Sequence, residues 1–429
     1  MQLLGSTFFC EIPDGWAEAR EPGCVVATAP APVLGFTPNA VLRESRVEER
    51  PDILAAVSQA NLRAFGKETP GTLVVRVEAV RCHGVEHRRI WTLSPVTNEE
   101  IHGNILCLLS IQELAVVDGV VAELTVTLPL VEWSPGDQHE TIVESLAAMP
   151  VAERTAPPTE SNVPPVVLDE WATAYDEAPR EDLSVIKPPV LVLQAEPIVL
   201  SDEAGTVFLN SARTRVFPPV TGEVGKELAA AELVDYDGNL SSAGFWYVDH
   251  VLSGEAWKIR VAAPKVTEFR FWITDSTTMF VVPHPELKGR KFLGYCPSND
   301  LFRLLLAWVE AFPSWPFDMH LELSRKELQA KLEQNVTPGL HVGGVGEFVE
   351  QRWTYMSLSD GFDEPVLNWV HTHTRGDAVS WVNPSLRNIR RLISIQQDHD
   401  DPFWLRLVGT IAGLDPATGN RRNTWPTTK

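Results

Sequence analysis

Positive charge is scarce in this sequence of 429 residues, which has 36 lysines and arginines against 57 aspartates and glutamates. The formal net charge is therefore −21 at pH 7. Proteins that bind nucleic acids neutralise phosphates with clustered basic side chains, so this composition argues against a nucleic-acid partner. The one basic cluster, formed by Arg387, Arg390 and Arg391, is typical of the solvated face of a helix.

Long apolar runs are also missing. No stretch reaches the ~18 consecutive apolar residues of a membrane span, which argues against membrane insertion. The first residues lack the basic and apolar regions of a secretory signal, so we expect a cytoplasmic protein. The cysteines are few, odd in number and without a C-x-x-C pair, a pattern that favours free thiols over a disulfide framework. They are Cys10, Cys24, Cys82, Cys107 and Cys296.

Catalytic motifs are equally scarce. The string His83-Gly84-Val85-Glu86-His87 matches the H-x-x-E-H pattern of zinc peptidases, in which a helix places both histidines on one face. Here the flanking residues are typical of strands and Gly84 marks a turn, so that helical site is excluded. The glycines Gly343, Gly344 and Gly346 lack the spacing of a phosphate-binding loop. We therefore expect no enzyme activity and no cofactor.

One metal hypothesis stays open. His371 and His373 alternate on a predicted strand and would share one face, close to Asp377. Two histidines on one strand can ligate a metal, although such alternation is also typical of a solvent-facing strand. A metal-dependent enzyme using His371 and His373 is therefore one alternative function.

The chain divides at an acidic, proline-rich segment. Residues 150–189 hold three Pro-Pro pairs among many acids, which predicts a semi-extended linker with a short helix near Trp171 to Tyr175. Residues 1–149 precede it as one α+β domain. Residues 190–429 follow as a second α+β domain of one or two antiparallel-sheet and helix modules, about 190–313 and 314–415, with no residue-level repeat between them.

Apolar periodicity predicts the elements of both domains. In the first, Asp52 would cap a helix, and Cys82-His83-Gly84 and Val117-Asp118-Gly119 would form hairpin turns. In the second, we predict a strand over Gly205 to Leu209, a meander from Trp257 to Tyr295 and two final helices. Those helices would cover Pro384 to Ile395 and Pro402 to Ala412.

The first ~150 residues resemble the PsbP-like fold of the LpqN family of actinobacterial proteins. The resemblance rests on the string Phe9 to Trp16, the string Phe36 to Leu42, the helix after Asp52 and the hairpin strand Val80 to Trp91. It implies an antiparallel sheet with helices that serves as a binding scaffold without catalytic residues. Members are typically lipoproteins, a feature that the start of this sequence lacks.

Residues from about Pro189 to Gln334 resemble one half of the EspG family, the cytoplasmic chaperones of type VII (ESX) secretion. The likeness rests on the helix ending at Leu233, the turn Asp235 to Gly238 and the meander with its closing helix. It implies binding of small helical WXG-type secretion substrates. On that basis the contact face would lie on the meander, with Phe269, Phe271, Trp272 and Trp257 as partner-binding residues.

These observations favour a non-catalytic cytoplasmic adaptor or chaperone that binds another protein, with a type VII secretion substrate as the expected partner. The other binding alternative is an immunity or regulatory protein that binds one toxin or enzyme.

Overall fold

The computed structural model describes most of the chain. The described residues are 1–33, 35–68, 71–95, 107–133, 138–155, 157, 159–186, 196–263, 267–274, 277–284, 286–309, 313, 315, 319–336, 350, 352–360, 365–372, 380–383, 392–397, 407 and 411. Within them the protein is a mixed α+β fold in which all strand pairs of the sheets are antiparallel, as the sequence predicts.

The N-terminal part is built on a seven-stranded sheet. Its elements are β1 Gln2–Leu4, β2 Phe8–Glu11, β3 Ala17–Glu21, β4 Cys24–Thr28, β5 Asn39–Arg46, α1 Ile53–Glu68, β6 Leu73–Cys82, β7 Val85–Pro95, β8 Cys107–Val117, β9 Val120–Pro129, α2 Gln138–Glu144 and β10 Ala147–Ala148. The sheet has the order β3-β4-β5-β9-β8-β7-β6, while β1, β2 and β10 form a separate three-stranded sheet.

Both predicted hairpin turns are confirmed. His83 and Gly84 have φ of 50° and 81°, and Asp118 and Gly119 have φ of 49° and 69°. Two successive positive φ angles match the right-handed twist of the strands that the turn joins. These turns place β6, β7, β8 and β9 side by side, which sets the register of the residues discussed below.

The C-terminal part contains a ten-stranded sheet. Its elements are α3 Glu170–Asp176, β11 Ile198–Ser201, α4 Asp202–Thr214, α5 Glu223–Ala230, α6 Ser242–Ser253, β12 Glu255–Ala263, β13 Thr267–Ile273, β14 Thr277–Pro283, β15 Arg290–Pro297, α7 Leu301–Val309, β16 Met319–Ser324, α8 Arg325–Gln334, β17 Trp353–Asp360, β18 Pro365–Thr372, β19 Ser380–Asn383 and β20 Leu392–Gln397. Of these, α3 lies before the sheet, in the segment 150–189.

The ten strands follow the same path twice. Their order is β11-β15-β14-β13-β12-β17-β18-β19-β20-β16. In the first half, β12 to β15 form a meander and β11 pairs with its last strand, β15. In the second half, β17 to β20 form a meander and β16 pairs with its last strand, β20. The two meanders meet where β12 pairs with β17. The two predicted modules therefore contribute five strands each to one sheet, with a topological repeat that the residues do not show.

Two predicted elements of the C-terminal part are wrong. Gly205 to Leu209 is not a strand but the middle of α4, because Ser201 caps the helix by accepting a hydrogen bond from the Ala204 backbone. Ala204, Phe208 and Ala212 then share its buried face. The predicted helix Pro384 to Ile395 is contradicted at its end, since Leu392 begins strand β20. Most of the predicted helix Pro402 to Ala412 lies outside the described residues.

The proline-rich segment 150–189 is not a free spacer. Arg46 exchanges backbone hydrogen bonds with the segment at Thr159 and Ser161. The Gln59 side chain on α1 donates to the carbonyls of Val167 and Asp182 at 3.0 and 3.2 Å. Proline removes donors from the segment itself, and side chains of the N-terminal part bind its carbonyl groups instead. The predicted short helix near Trp171 is confirmed as α3.

Residues of the segment and of β7 form a buried ionic cluster, and a tryptophan from the C-terminal part packs against it. Arg88 is 1% exposed and binds Glu181, which is fully buried, at 3.2 Å. The guanidinium groups of Arg88 and Arg180 lie 5.2 and 5.3 Å from the centre of the Trp315 ring. Its indole N–H donates to the Glu181 carbonyl at 2.9 Å. Trp315 therefore joins the two parts of the protein through the segment 150–189.

Among the described residues, each helix is too short or too polar to cross a membrane. All five cysteines are free thiols, as predicted. Burial raises the pKa of the thiols of Cys10, Cys107 and Cys296 to about 12. These three are therefore protonated core residues at neutral pH.

Candidate functional site

The four aromatic residues predicted to bind a partner lie in the core. Phe269 and Phe271 are fully buried, and Trp257 and Trp272 are 5% and 6% exposed. Phe269 stacks on Trp308 of α7 with 5.2 Å between ring centroids. The meander therefore uses these side chains to bind its own helices, and the prediction that they form a contact face is wrong.

The histidine pair stays a prediction. His371 lies on β18, opposite Thr354 of β17, but its side chain is outside the described residues. His373 and Asp377 are also outside them. The hypothesis of a metal at His371 and His373 is therefore neither supported nor contradicted.

A different surface of the C-terminal part forms an open groove. It has a volume of about 910 Å³ and lies between α5, α6, the edge strand β11 and its neighbour β15. We call it the α5–α6 groove. Its lining residues are Ile198, Val199, Glu227, Ala230, Ala231, Glu232, Ala243, Trp246, Tyr247, Arg290 and Tyr295.

Two glycines allow the helices beside the groove to pack closely. A Cβ atom on Gly244 of α6 would lie 1.8 Å from the Leu233 carbonyl oxygen. A Cβ atom on Gly225 of α5 would lie 2.2 Å from the Pro219 carbonyl oxygen. Any side chain at either position would push its helix away from the backbone that it contacts. The two glycines therefore fix where α5 and α6 stand.

An aromatic wall forms one side of the groove. The rings of Trp246 and Tyr295 are 5.0 Å apart, as are those of Trp246 and Tyr247. His250 supports Trp246 from the next helical turn, with 3.8 Å between ring centroids. Burial and the neighbouring Tyr295 raise the pKa of Tyr247 to about 12, so its hydroxyl is neutral at pH 7. The wall is rigid and apolar with polar tips, the composition of many binding hot spots.

The other end of the groove is polar. Glu227 of α5 accepts hydrogen bonds from the Ser201 backbone and hydroxyl at 2.7 and 2.6 Å. It also binds Arg290 of β15 at 2.5 Å, and Arg290 is 46% exposed. These contacts tie α5 to the end of β11 and leave a guanidinium group available beside the apolar wall.

Val199 on the edge strand is an apolar lining residue of the groove that stays 39% exposed. Phe245 and Leu252 of α6 are also exposed, but at ~100° per residue they lie on the helix face opposite the lining residue Ala243. Apolar residues that cluster around a concave surface are typical of a protein-binding site. The apolar lining of the α5–α6 groove therefore makes it a candidate binding surface.

Sequence reasoning missed this groove because its lining comes from four elements spread over residues 198–295. The local signal was Phe245-Trp246-Tyr247, three consecutive aromatic residues that lie on α6. A helix cannot bury three consecutive large side chains on one face, so at least one must lie at its boundary or outside it. That signal would have placed the aromatic contact residues on α6 rather than on the meander.

A second cluster of functional groups lies on three strands of the N-terminal sheet. Cys82 ends β6, His87 lies on β7 and Glu113 lies on β8. The His87 Nδ1 atom is 2.9 Å from Glu113 Oε1, and the Cys82 thiol is 3.8 Å from the same oxygen. Arg89 donates to Glu113 Oε2 at 2.8 Å. The sequence alone did not show these contacts, because they form between residues of neighbouring strands.

The environment of this cluster keeps its thiol protonated. Burial and the negative charge of Glu113 raise the pKa of Cys82 to about 11, although Arg89 opposes the shift. A protonated thiol is a poor nucleophile. The cluster is therefore not an activated cysteine site, even though it places a thiol, an imidazole and a carboxylate together.

No family model and no curated protein matches the chain. Among solved structures, part of the chain is similar to LpqN of Mycobacterium tuberculosis, described as involved in cell envelope biogenesis, at 16% identity and a TM-score of 0.25. That match covers 33% of this chain and 83% of LpqN.

Two further solved structures show likenesses of the same kind. Cyanobacterial PsbP from Synechocystis sp. PCC 6803 is 11% identical, with a TM-score of 0.24, over 33% of this chain and 86% of that protein. PA94 of Pseudomonas aeruginosa, a protein of unknown function, is 17% identical, with a TM-score of 0.21, over 28% of this chain and 75% of that one. Likenesses at these TM-scores carry no conclusion about function.

Proposed function

We propose that this protein is a non-catalytic adaptor or chaperone that binds a helical segment of another protein in the α5–α6 groove. The observation that carries the proposal is the groove itself, an open apolar cleft of about 910 Å³ beside a sheet edge. Its aromatic wall is held in place by contacts within the protein, so binding does not require these side chains to be ordered first.

The lining of the groove suits a helix. Ala230, Ala231 and Ala243 face the space from both helices, and such small side chains let a third helix approach closely. Trp246 and Tyr295 would contact apolar residues at successive turns of the bound helix. Arg290 at the polar end could donate hydrogen bonds to a carboxylate or to the carbonyl groups of a helix C-terminus. On the resemblance to the EspG family, the partner would be a small helical WXG-type protein of type VII secretion.

The N-terminal part would act as a scaffold. We propose that it belongs to the PsbP-like class of folds and that the protein works in the cytoplasm of an actinobacterium. The five free cysteines support a reducing compartment. The contact of Trp315 with Arg88 and Arg180 would hold the scaffold beside the groove-bearing part.

The proposal is tested by co-expression of the tagged full chain with each small helical protein encoded by a neighbouring gene. We expect one of them to co-purify in stoichiometric amount and to stay soluble only in the presence of this chain. A small helical protein of unrelated origin is the control and should not co-purify. If no such neighbour binds, the chaperone proposal is wrong.

A further inference from the structure

We propose that Cys82, His87 and Glu113 form a binding site for one divalent transition-metal ion, with Zn²⁺ as the best match. The site lies on the N-terminal sheet and is independent of the α5–α6 groove. It also differs from the helical H-x-x-E-H pattern, because it uses His87 with residues from the two neighbouring strands.

Strand register creates the site. Val80 lies opposite His87 on one side, and Cys82, two residues after Val80, shares its face of the sheet. On the other side Glu113 lies opposite Arg89, which is two residues after His87 and on the same face. Cys82 and Glu113 therefore flank His87 from the two neighbouring strands. The donor atoms of the three residues all lie within 4.8 Å of one another. Ligands around tetrahedral Zn²⁺ at ~2.0–2.3 Å stand roughly 3–4 Å apart, so a metal ion requires only small side-chain shifts here.

The donor set is selective. A thiolate, an imidazole and a carboxylate are the three side-chain ligands that Zn²⁺ takes in proteins, whereas Mg²⁺ and Ca²⁺ prefer oxygen alone. His87 is 2% exposed and Glu113 is fully buried, so two of the ligands are held by the core.

The surroundings provide the outer contacts of a metal site. Arg89 binds Glu113 Oε2 at 2.8 Å, which orients the carboxylate and leaves Oε1 directed at His87 and Cys82. Cys82 is half-buried and adjoins the turn at His83 and Gly84, so an ion and a water molecule as fourth ligand can enter from that side. Binding releases the proton of the Cys82 thiol and any proton on His87 Nδ1 to solvent.

Titration of the purified, reduced full chain with Co²⁺ tests the site. We expect one equivalent to bind and to produce the near-ultraviolet absorption of a thiolate–cobalt bond, which Zn²⁺ then removes by displacement. Cys82→Ser should abolish that absorption. Cys24→Ser is the matched control, because Cys24 is also a partly exposed thiol of the N-terminal sheet, and it should leave the absorption unchanged.

X-ray absorption of the zinc-loaded wild-type protein gives a test that needs no variant. We expect one sulfur ligand at about 2.3 Å and nitrogen or oxygen ligands at about 2.0–2.1 Å. A first shell without sulfur, a thiolate band that persists in Cys82→Ser, or no stoichiometric binding of Co²⁺ or Zn²⁺ would each overturn the proposal. None of these outcomes bears on partner binding at the groove.

Discussion

Replacing Arg88 with methionine should lower the free energy of unfolding by about 3–5 kcal/mol at pH 7, because it leaves Glu181 buried without its cation. Arg88 is 1% exposed, and its guanidinium group binds Glu181, Glu86 and the Pro179 carbonyl. Methionine keeps much of the side-chain volume, so the lost charge rather than a cavity causes the effect. Urea unfolding followed by fluorescence measures it.

The loss of unfolding free energy caused by Arg88→Met should become smaller as the pH falls. Burial raises the pKa of Glu181 above its unfolded value despite Arg88, and without Arg88 the pKa rises further. A raised carboxyl pKa means that Glu181 favours the folded state at low pH and that this contribution is lost as the pH rises through the folded pKa. Burial raises the pKa of Glu86, but Arg88 and Arg180 together outweigh it and lower that pKa, so the contribution of Glu86 to stability is present at neutral pH and lost in acid. Because of both carboxyl groups, Glu181 and Glu86, Arg88→Met should lower the free energy of unfolding less at pH 4 than at pH 7.

A double variant separates charge from packing. Arg88→Met combined with Glu181→Gln removes both buried charges, and we expect it to recover most of the stability lost in Arg88→Met alone. Equal destabilisation in the single and double variants would show that the ion pair is not the cause.

Replacing Trp315 with alanine should lower the free energy of unfolding by about 3–5 kcal/mol through lost burial and an unfilled cavity. Trp315 is 5% exposed and packs with Val57, Ile90 and Leu114 of the N-terminal part in one core cluster. Its removal should also speed hydrogen exchange of residues 159–186, because the ring covers Arg88 and Arg180 of the cluster that anchors them. Urea unfolding and exchange followed by mass spectrometry measure the two effects.

Trp315→Phe is the matched control for that variant. Phenylalanine keeps the aromatic contact with both guanidinium groups but loses the indole hydrogen bond to the Glu181 carbonyl. We expect a loss of about 1 kcal/mol and unchanged exchange of residues 159–186. If alanine and phenylalanine behave alike, or if exchange in the segment does not change, Trp315 does not join the two parts.

Local chemistry made much of the fold predictable. The glycine-containing strings Cys82-His83-Gly84 and Val117-Asp118-Gly119 predicted hairpin turns, because such turns require positive φ angles, which glycine adopts readily. The helix after Asp52 and the meander after Glu255 followed from apolar periodicity. The short apolar run Val207-Phe208-Leu209 led to the wrong prediction of a strand, because such a run fits either a strand or a buried helix. The N-cap at Ser201 makes it part of helix α4.

The contacts between residues far apart in the sequence were not predictable from local patterns. Trp315 meets Arg88 from more than two hundred residues away, and the composition of the segment 150–189 favoured a spacer because nothing local showed what would bind its carbonyls. Burial of Phe269, Phe271, Trp257 and Trp272 likewise depends on the helices that cover the meander. A tryptophan in a core and one at an interface look alike in a sequence.

The central claim is that the α5–α6 groove binds the partner. Its most direct test is the affinity of the co-purifying helical protein for Ala243→Arg, measured by calorimetry beside Ser242→Arg. Both residues are exposed in the first turn of α6, but only Ala243 lines the groove. We predict that Ala243→Arg weakens binding by about 100-fold while Ser242→Arg changes it by less than about 3-fold. Equal affinity of the two variants would contradict the account.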